Sequence, residues 1–178
     1  MNNIKKSYLK LLTCNCLYVF VIFFSSQIFA QTGNFPFEIL LKADSISGFN
    51  GLHSFAWGQH NGKVLLVGGR QDGIHARQPF NAFPASQNNQ QLQVLDLASK
   101  QSWSRSLAEL SVPLQEQLQS TNMNFYQDGN TLILTGGYAY SNSANDHITF
   151  PYLTCIDLSG LIQAIIDNQA LAPFFKQI

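Results

Sequence analysis

Two Gly-Gly doublets, Gly68-Gly69 and Gly136-Gly137, constrain this chain more than any other feature, because each closes an apolar run of the same design. The runs are Val64-Leu65-Leu66-Val67 and Leu132-Ile133-Leu134-Thr135. Each follows a turn that contains glycine, Asn61-Gly62 or Asp128-Gly129, and each leads through a polar stretch to a second segment ending in Asp-Leu. Glycine at the end of such a run lets the backbone bend, or approach a neighbour, where a Cβ would intrude. Recurrence of the whole unit predicts two antiparallel sheets of short strands that are not identical, since residues 161–166 read as a helix where the first unit has its Trp103 strand, leaving the second to borrow or lack an outer strand. A lone sheet of this size leaves its apolar faces in water, so something must stack on it.

In the first unit, which begins at Leu52, Phe55 and Trp57 alternate with smaller residues as one face of a strand does. His60-Asn61-Gly62 supplies the hairpin, since asparagine and glycine tolerate positive φ. Residues 64–67 read as a buried strand, residues 70–89 as a polar loop broken by Gly73, Pro79 and Pro84, residues 92–97 as a third strand, and Trp103 marks a fourth. The second unit offers Met123 and Phe125, the Asp128-Gly129 turn, residues 132–135, a polar loop over 138–149, and a strand over 152–158. Two short helices are expected between strands: residues 114–119, opened by Ser111 and Pro113, and a stripe of Leu161, Ile162, Ala164, Ile165 and Ile166 opened by Ser159-Gly160. Trp57-Gly58-Gln59, Phe125-Tyr126-Gln127 and Phe175-Lys176-Gln177 share an aromatic-x-Gln pattern, so residues 171–178 read as the start of a third unit that the chain truncates. Leu171, Phe174, Phe175 and Ile178 would then form an uncapped apolar end.

Residues 1–30 have the three regions of a cleavable export signal: Lys5, Lys6 and Lys10, an apolar stretch over 11–24, and a polar-to-small exit at Ala30. Cleavage is expected before Gln31, with residues 31–51 as a lead-in segment. The apolar stretch is shorter than the roughly 18 residues of a spanning helix. The remaining 148 residues carry seven Lys or Arg and ten Asp or Glu, a net formal charge of −3, which argues against nucleic acid as a partner. Cys14 and Cys16 fall inside the signal, so the exported chain keeps Cys155 alone and can form no internal disulfide. Cys155 is expected to be a small buried side chain in its strand.

An apolar strand closed by Gly-Gly, then a strand with an acidic residue near its end, then a tryptophan, resembles the Kelch repeat of β-propellers. Residues 52–107 carry the likeness best, and residues 121–158 carry it without the tryptophan. The resemblance implies an all-β fold: a partial β-propeller of two four-stranded antiparallel Kelch-type blades, over 52–120 and 121–170, with short inter-blade helices. Propellers of that family close with more blades, so it also implies a fragment or truncated product, completed by blades of a longer chain or of a partner chain.

Strand alternation puts the three long connections, residues 70–89, 106–121 and 138–150, on one face, and function tends to follow long loops. The polar and aromatic groups there are Arg70, Asp72, His75 and Arg77 beside the first doublet, and Tyr138, Tyr140, Asp146 and His147 beside the second. Rings beside charged and amide groups suit a sugar or peptide. The structural alternative is that Arg70 pairs with a loop carboxylate and the tyrosines pack between sheets. Gly68, Gly69, Gly136, Gly137, Trp57, Trp103 and Phe125 are assigned structural roles. No metal or other cofactor is expected, for His53, His60, His75, His147, Asp72 and Asp146 have no ligand-motif spacing. Gly-x-Ser-x-Gly, phosphate-loop and dinucleotide glycine patterns do not occur.

The expected function is extracellular recognition of carbohydrate or protein by a module that is secreted, at the cell surface or periplasmic, with no membrane span after signal cleavage. Two alternatives stand beside it. One is the N-terminal part of an enzyme resembling galactose oxidase, whose copper ligands would lie in later blades. The other is a structural spacer in a larger surface protein.

Overall fold

The computed structural model describes residues 36–73 and 82–178; the expected export signal, His75 and Arg77 lie outside the described residues. The chain divides into two compact units, Met1–Lys42 and Ala43–Ile178. Of the first, residues 36–42 form neither helix nor strand, and Ile39, Leu40 and Leu41 are exposed. Among the described residues, no helix is long and apolar enough to cross a membrane.

The second unit is mostly β. Its first sheet is a meander of β1 (Ala56–His60), β2 (Lys63–Val67), β3 (Gln91–Asp96) and β4 (Gln101–Ser106), each antiparallel to the next. Asn61 and Gly62 join β1 to β2 with φ of 48° and 75°, the doubly left-handed turn whose twist matches paired strands. Helix α1 (Val112–Leu118), with proline in its first turn, leads to the second sheet. That sheet holds β5 (Thr121–Asp128), β6 (Thr131–Ser141), β7 (Asp146–Thr149), β8 (Leu153–Asp157) and β9 (Phe175–Gln177) in the order β5-β6-β8-β9, with β7 paired to the far half of β6. Helix α2 (Leu158–Ile166) follows β8 directly.

Backbone geometry recurs between the sheets at a spacing of 68 residues. Ser54 and Asn122 both have φ of 57°, Asn61 and Gly129 have 48° and 54°, Gly68 and Gly136 have 66° and 72°, and Gly69 and Gly137 have 87° and 94°. The Asp-Leu pairs also share a task. Asp96 accepts hydrogen bonds from the Ala98 and Ser99 N–H groups, and Asp157 accepts one from Gly160 at 3.2 Å. Each aspartate therefore ends its strand by capping the turn that follows. Helix α2 accordingly begins at Leu158 with Asp157 as its cap, one residue before the expected Ser159.

The core lies between the sheets. Ala56, Leu65, Val67, Leu92 and Val94 from one face of the first sheet meet Met123, Leu132, Leu134 and Ile156 of the second, and α2 adds Leu158, Leu161, Ile162, Ala164 and Ile165. Helix α2 packs on all four strands of the first sheet, so its apolar stripe covers the sheet that precedes its own. Each large aliphatic side chain fully buried here contributes roughly 1.5–3 kcal/mol. Gln127 ties the first strands together: its Oε1 accepts from the Gln59 N–H and its Nε2 donates to the Gln59 carbonyl, both at 2.9 Å. Gln127→Ala is expected to lower stability by about 1–2 kcal/mol, since each such bond contributes roughly 0.5–1.5 kcal/mol net; a denaturant titration with unchanged slope and midpoint would contradict this.

Four expectations need correction. Residues 138–149 are not a polar loop throughout, because β6 continues to Ser141 and pairs with β7 from Tyr138↔Thr149 to Ser141↔Asp146. Alternation explains it: Ala139 and Ser141 are each 1 % exposed, while Tyr138 and Tyr140 take the opposite face. The second doublet therefore bends a continuous strand, which pairs with β8 before Gly136 and with β7 after Gly137. Residues 175–177 do not start a third sheet; Ile156↔Phe175 and Thr154↔Gln177 place them as the fourth strand of the second, where they cover the backbone edge that β8 would otherwise leave open. The terminal apolar group is correspondingly packed, with Leu171 buried and Phe174 and Phe175 against the core, and only Ile178 is largely exposed. Cys155 is half-buried, not buried, because it faces away from the fully buried Thr154 and Ile156 and stands opposite Lys176.

Candidate functional site

The doublets bring the long connections together at one end of the stacked sheets. A Cβ on Gly68 would strike the Ser120 carbonyl oxygen and lie 2.6 Å from Met123 Cε; a Cβ on Gly137 would strike Ser120 Oγ and lie 2.7 Å from Met123 Cγ. One glycine from each doublet thus lies flush against the entry to β5, and the Gly69 N–H donates to the Ser120 carbonyl at 2.9 Å. Asn89 closes the same corner, donating from Nδ2 to the Gly68 and Gln91 carbonyls, both at 2.9 Å.

Arg70, next along the chain, is fully buried. Its Nε and Nη2 donate to the two carboxylate oxygens of Asp72 at 2.9 and 2.7 Å, Nη1 donates to Asn88 Oδ1 at 2.9 Å, and Nη2 also reaches the Pro84 carbonyl at 3.2 Å. The guanidinium lies 5.3 Å from the centre of the Phe83 ring. His53 Nε2 approaches Asp72 Oδ1 at 3.4 Å. The Arg70 hydrogen bonds hold the Asp72 carboxyl below its ordinary pKa, outweighing partial burial, with the Arg70 charge and His53 adding to the effect.

Phe83 links this group to the second doublet. Its ring meets Tyr138 edge to face at 5.3 Å, and its carbonyl lies 3.1 Å from His147 Nε2. The His147 ring stacks on Tyr138 at 5.8 Å and meets Tyr140 edge to face at 5.3 Å, while the Tyr140 hydroxyl donates to Asn145 Oδ1 at 2.7 Å. Asp146 stands exposed at the hairpin rim, where it accepts from the His147 N–H. Five of the eight expected site residues, Arg70, Asp72, Tyr138, Tyr140 and His147, therefore form one connected cluster.

Helix α1 anchors the hairpin from below. Glu116, nearly buried, accepts from the Ser141 hydroxyl at 2.9 Å and from the Ser143 N–H and hydroxyl at 2.9 and 3.1 Å. Burial pushes its pKa up, but those bonds outweigh it and hold the carboxyl below its ordinary value. Gln117, fully buried, donates to the Tyr152 carbonyl at 3.0 Å and accepts from Thr154 at 2.6 Å and Gln177 at 2.9 Å. Phe83, Asn88, Glu116 and Gln117 carry no motif in the sequence. Their signal is contact across long separations, which a linear reading does not hold.

The polar groups of the cluster are paired largely with one another, Asn88 Nδ2 being buried with no hydrogen-bond partner among the described residues. Arg70 follows the structural alternative, with a loop carboxylate as partner, and Tyr138 packs between Phe83 and His147. Among the described residues no three of His, Cys, Asp and Glu come together where a metal could be held. Such an arrangement braces the loop end and presents the hairpin rim to solvent. No family model matches this chain, and no curated protein matches it either.

Proposed function

We propose that this chain contributes blades to a secreted Kelch-type β-propeller that acts as a recognition or scaffold module for carbohydrate or protein outside the cytoplasm. The observation that carries this reading is the 68-residue recurrence of left-handed backbone positions, ending in the two doublets. Stacking of one sheet on the next, with Gln127 bound to the backbone of Gln59, supports it. Side chains at the loop end hold one another, which supports a recognition or scaffold role over catalysis.

Two measurements test the reading. Full-length chain expressed in a secreting bacterial host is expected to yield an exported product whose N-terminal sequence begins at Gln31; a product retaining Met1 overturns the export part. The exported chain, immobilised against arrays of glycans and peptides, is expected to retain a defined subset. Retention of neither class overturns recognition and leaves a spacer role.

A further inference from the structure

The edge strands β1 and β5 run side by side, and Trp57, Gln59, Phe125, Tyr126, Gln127 and Gly129 line an open hollow between them. Across it the two sheets are joined by contacts of known register. Gln127 clamps the Gln59 backbone from the second sheet. Leu158 packs on Gly58, where a Cβ would lie 2.8 Å from its Cδ2. Each of these four residues has a counterpart in the other sheet. At the 68-residue spacing Gln59 stands for Gln127 and Tyr126 for Gly58. Asp96 and Asp157 pair with Lys63 and Thr131, the first residues of β2 and β6, so Leu97 stands for Leu158.

The members that face each other within the chain are engaged, and their counterparts on the outer faces are open. Leu158 is fully buried, whereas Leu97 is 51 % exposed, and the Gln59 side-chain amide has no hydrogen-bond partner among the described residues. Leu65 and Leu92 are fully buried under the second sheet, whereas the residues that match them on the outer face of that sheet, Ile133 and Leu153, are half-buried and 37 % exposed. Tyr126, beside them, is 67 % exposed. The outer face of the first sheet thus repeats the inner face of the second, and the outer face of the second repeats the inner face of the first. Toward β4 the first outer face is already covered, with Leu66 and Leu95 buried and the Ser47 carbonyl accepting from Ser102 at 2.6 Å, so its open part is the β1 side.

We infer that this chain binds a second copy of itself head to tail, the outer face of the first sheet of one copy seating on the outer face of the second sheet of the next. Gln59 of one copy then clamps the Gln127 backbone of the other, and Leu97 packs on Tyr126, repeating the contacts made within the chain. The Gln127 N–H and carbonyl are placed for this. Gln127↔Leu132 holds the register position of Gln59↔Val64, one pair in from the turn, and both lie on edge strands, so their backbone groups point out of the sheet. One chain carries both halves of the contact and the halves differ, so the contact is heterologous and adds copies in one direction until a ring closes or a fibre grows. Exposed Asn124 and Thr135 stand where the first sheet has buried Ala56 and Val67. The outer contact is therefore more polar than the inner one, and association is expected to depend on concentration. This inference rests on the reading of the sheets as stacking blades and names the partner on which they stack.

The test is sedimentation velocity of the exported chain over a concentration series, where species heavier than one chain are expected to grow with concentration. Leu97→Asp and Tyr126→Asp, each at a position more than half exposed, are each expected to weaken association about a hundredfold or more by placing an unpaired charge in the contact. Mixed together, the two variants are expected to form a one-to-one dimer and nothing larger, because the first keeps an intact second-sheet face and the other an intact first-sheet face. Such a dimer also shows that both variants are folded. Gln59→Ala is expected to weaken association about fivefold or more, and it leaves the inner clamp intact because that clamp uses the backbone of residue 59 and not its side chain. Association that survives both aspartate variants, or variants that fail to pair when mixed while Gln59→Ala associates like the unmodified chain, overturns the assignment of these faces. A chain that stays monomeric throughout yet is retained on the glycan or peptide arrays overturns self-association and leaves recognition standing. Association without retention does the reverse.

Discussion

Gly137→Ala is expected to leave little folded protein, at a cost of about 4 kcal/mol or more, whereas Gly136→Ala, one residue earlier, is expected to cost only about 1–2 kcal/mol. Both positions are left-handed, with φ of 94° and 72°, and that strain accounts for the smaller figure. The difference is space. A Cβ on Gly136 would have Thr149 Cγ2 at 3.9 Å as its nearest neighbour, an ordinary contact, but one on Gly137 would strike Ser120 Oγ and crowd Met123, both buried. Nothing there can yield without moving the chain between α1 and β5. Ser120 Oγ has no hydrogen-bond partner among the described residues, so Ser120→Ala alone is expected to be close to neutral and to recover part of the Gly137→Ala loss. Thermal melts of the four variants decide the matter. Gly136→Ala and Gly137→Ala melting together would show that the doublet matters for backbone conformation alone.

Removal of the Asp72 carboxylate carries the second large effect. Asp72→Ala leaves the Arg70 guanidinium fully buried with Asn88 and the Pro84 carbonyl as its polar partners among the described residues, and breaking a buried pair in this way costs about 3–5 kcal/mol. Loss of the Arg70 anchor should also release Phe83 and, through it, the Tyr138–His147 stack. Arg70→Met is expected to cost less, because it removes the buried charge together with its partner's role.

The same pair sets an acid limit. The folded pKa of Asp72 is depressed, so its stabilising contribution is fully present above the ordinary carboxylate range and is lost as pH falls through the folded value. Glu116 and Asp157, the latter held low first by the Gly160 N–H, act in the same direction. Stability is therefore expected to be flat from about pH 7 to pH 5 and to fall below about pH 4. Asp72→Asn is expected to flatten part of that fall. An Asp72→Asn variant whose acid transition matches that of the unmodified chain would place the acid sensitivity elsewhere.

Most strands could be read directly from the residues, because the forces that set them are local. Alternation in β1 and β3, the Asn61-Gly62 turn and the Asp-Leu strand ends act within a few residues, and each appears where its residues predict. The cluster of five loop-end residues was legible as a neighbourhood, since two strands of the same design had to deliver their ends to the same side. Its chemistry was not. Pairing of Arg70 with a loop carboxylate was open to a sequence reading, since Asp72 lies two residues on, but a surface arginine and a fully buried one have the same sequence, and only the fold supplies the burial and brings Asn88 and Phe83 around Arg70. The partner of a strand is equally non-local: Phe175-Lys176-Gln177 shares the aromatic-x-Gln pattern of Trp57-Gly58-Gln59, yet it closes the sheet already begun because β8 offers it an open edge. The hollow between β1 and β5 follows the same division. The residues themselves determined that two strands would carry aromatic-x-Gln at one spacing; stacking decided that one glutamine would clamp the other's backbone while the rings beside it stay in water.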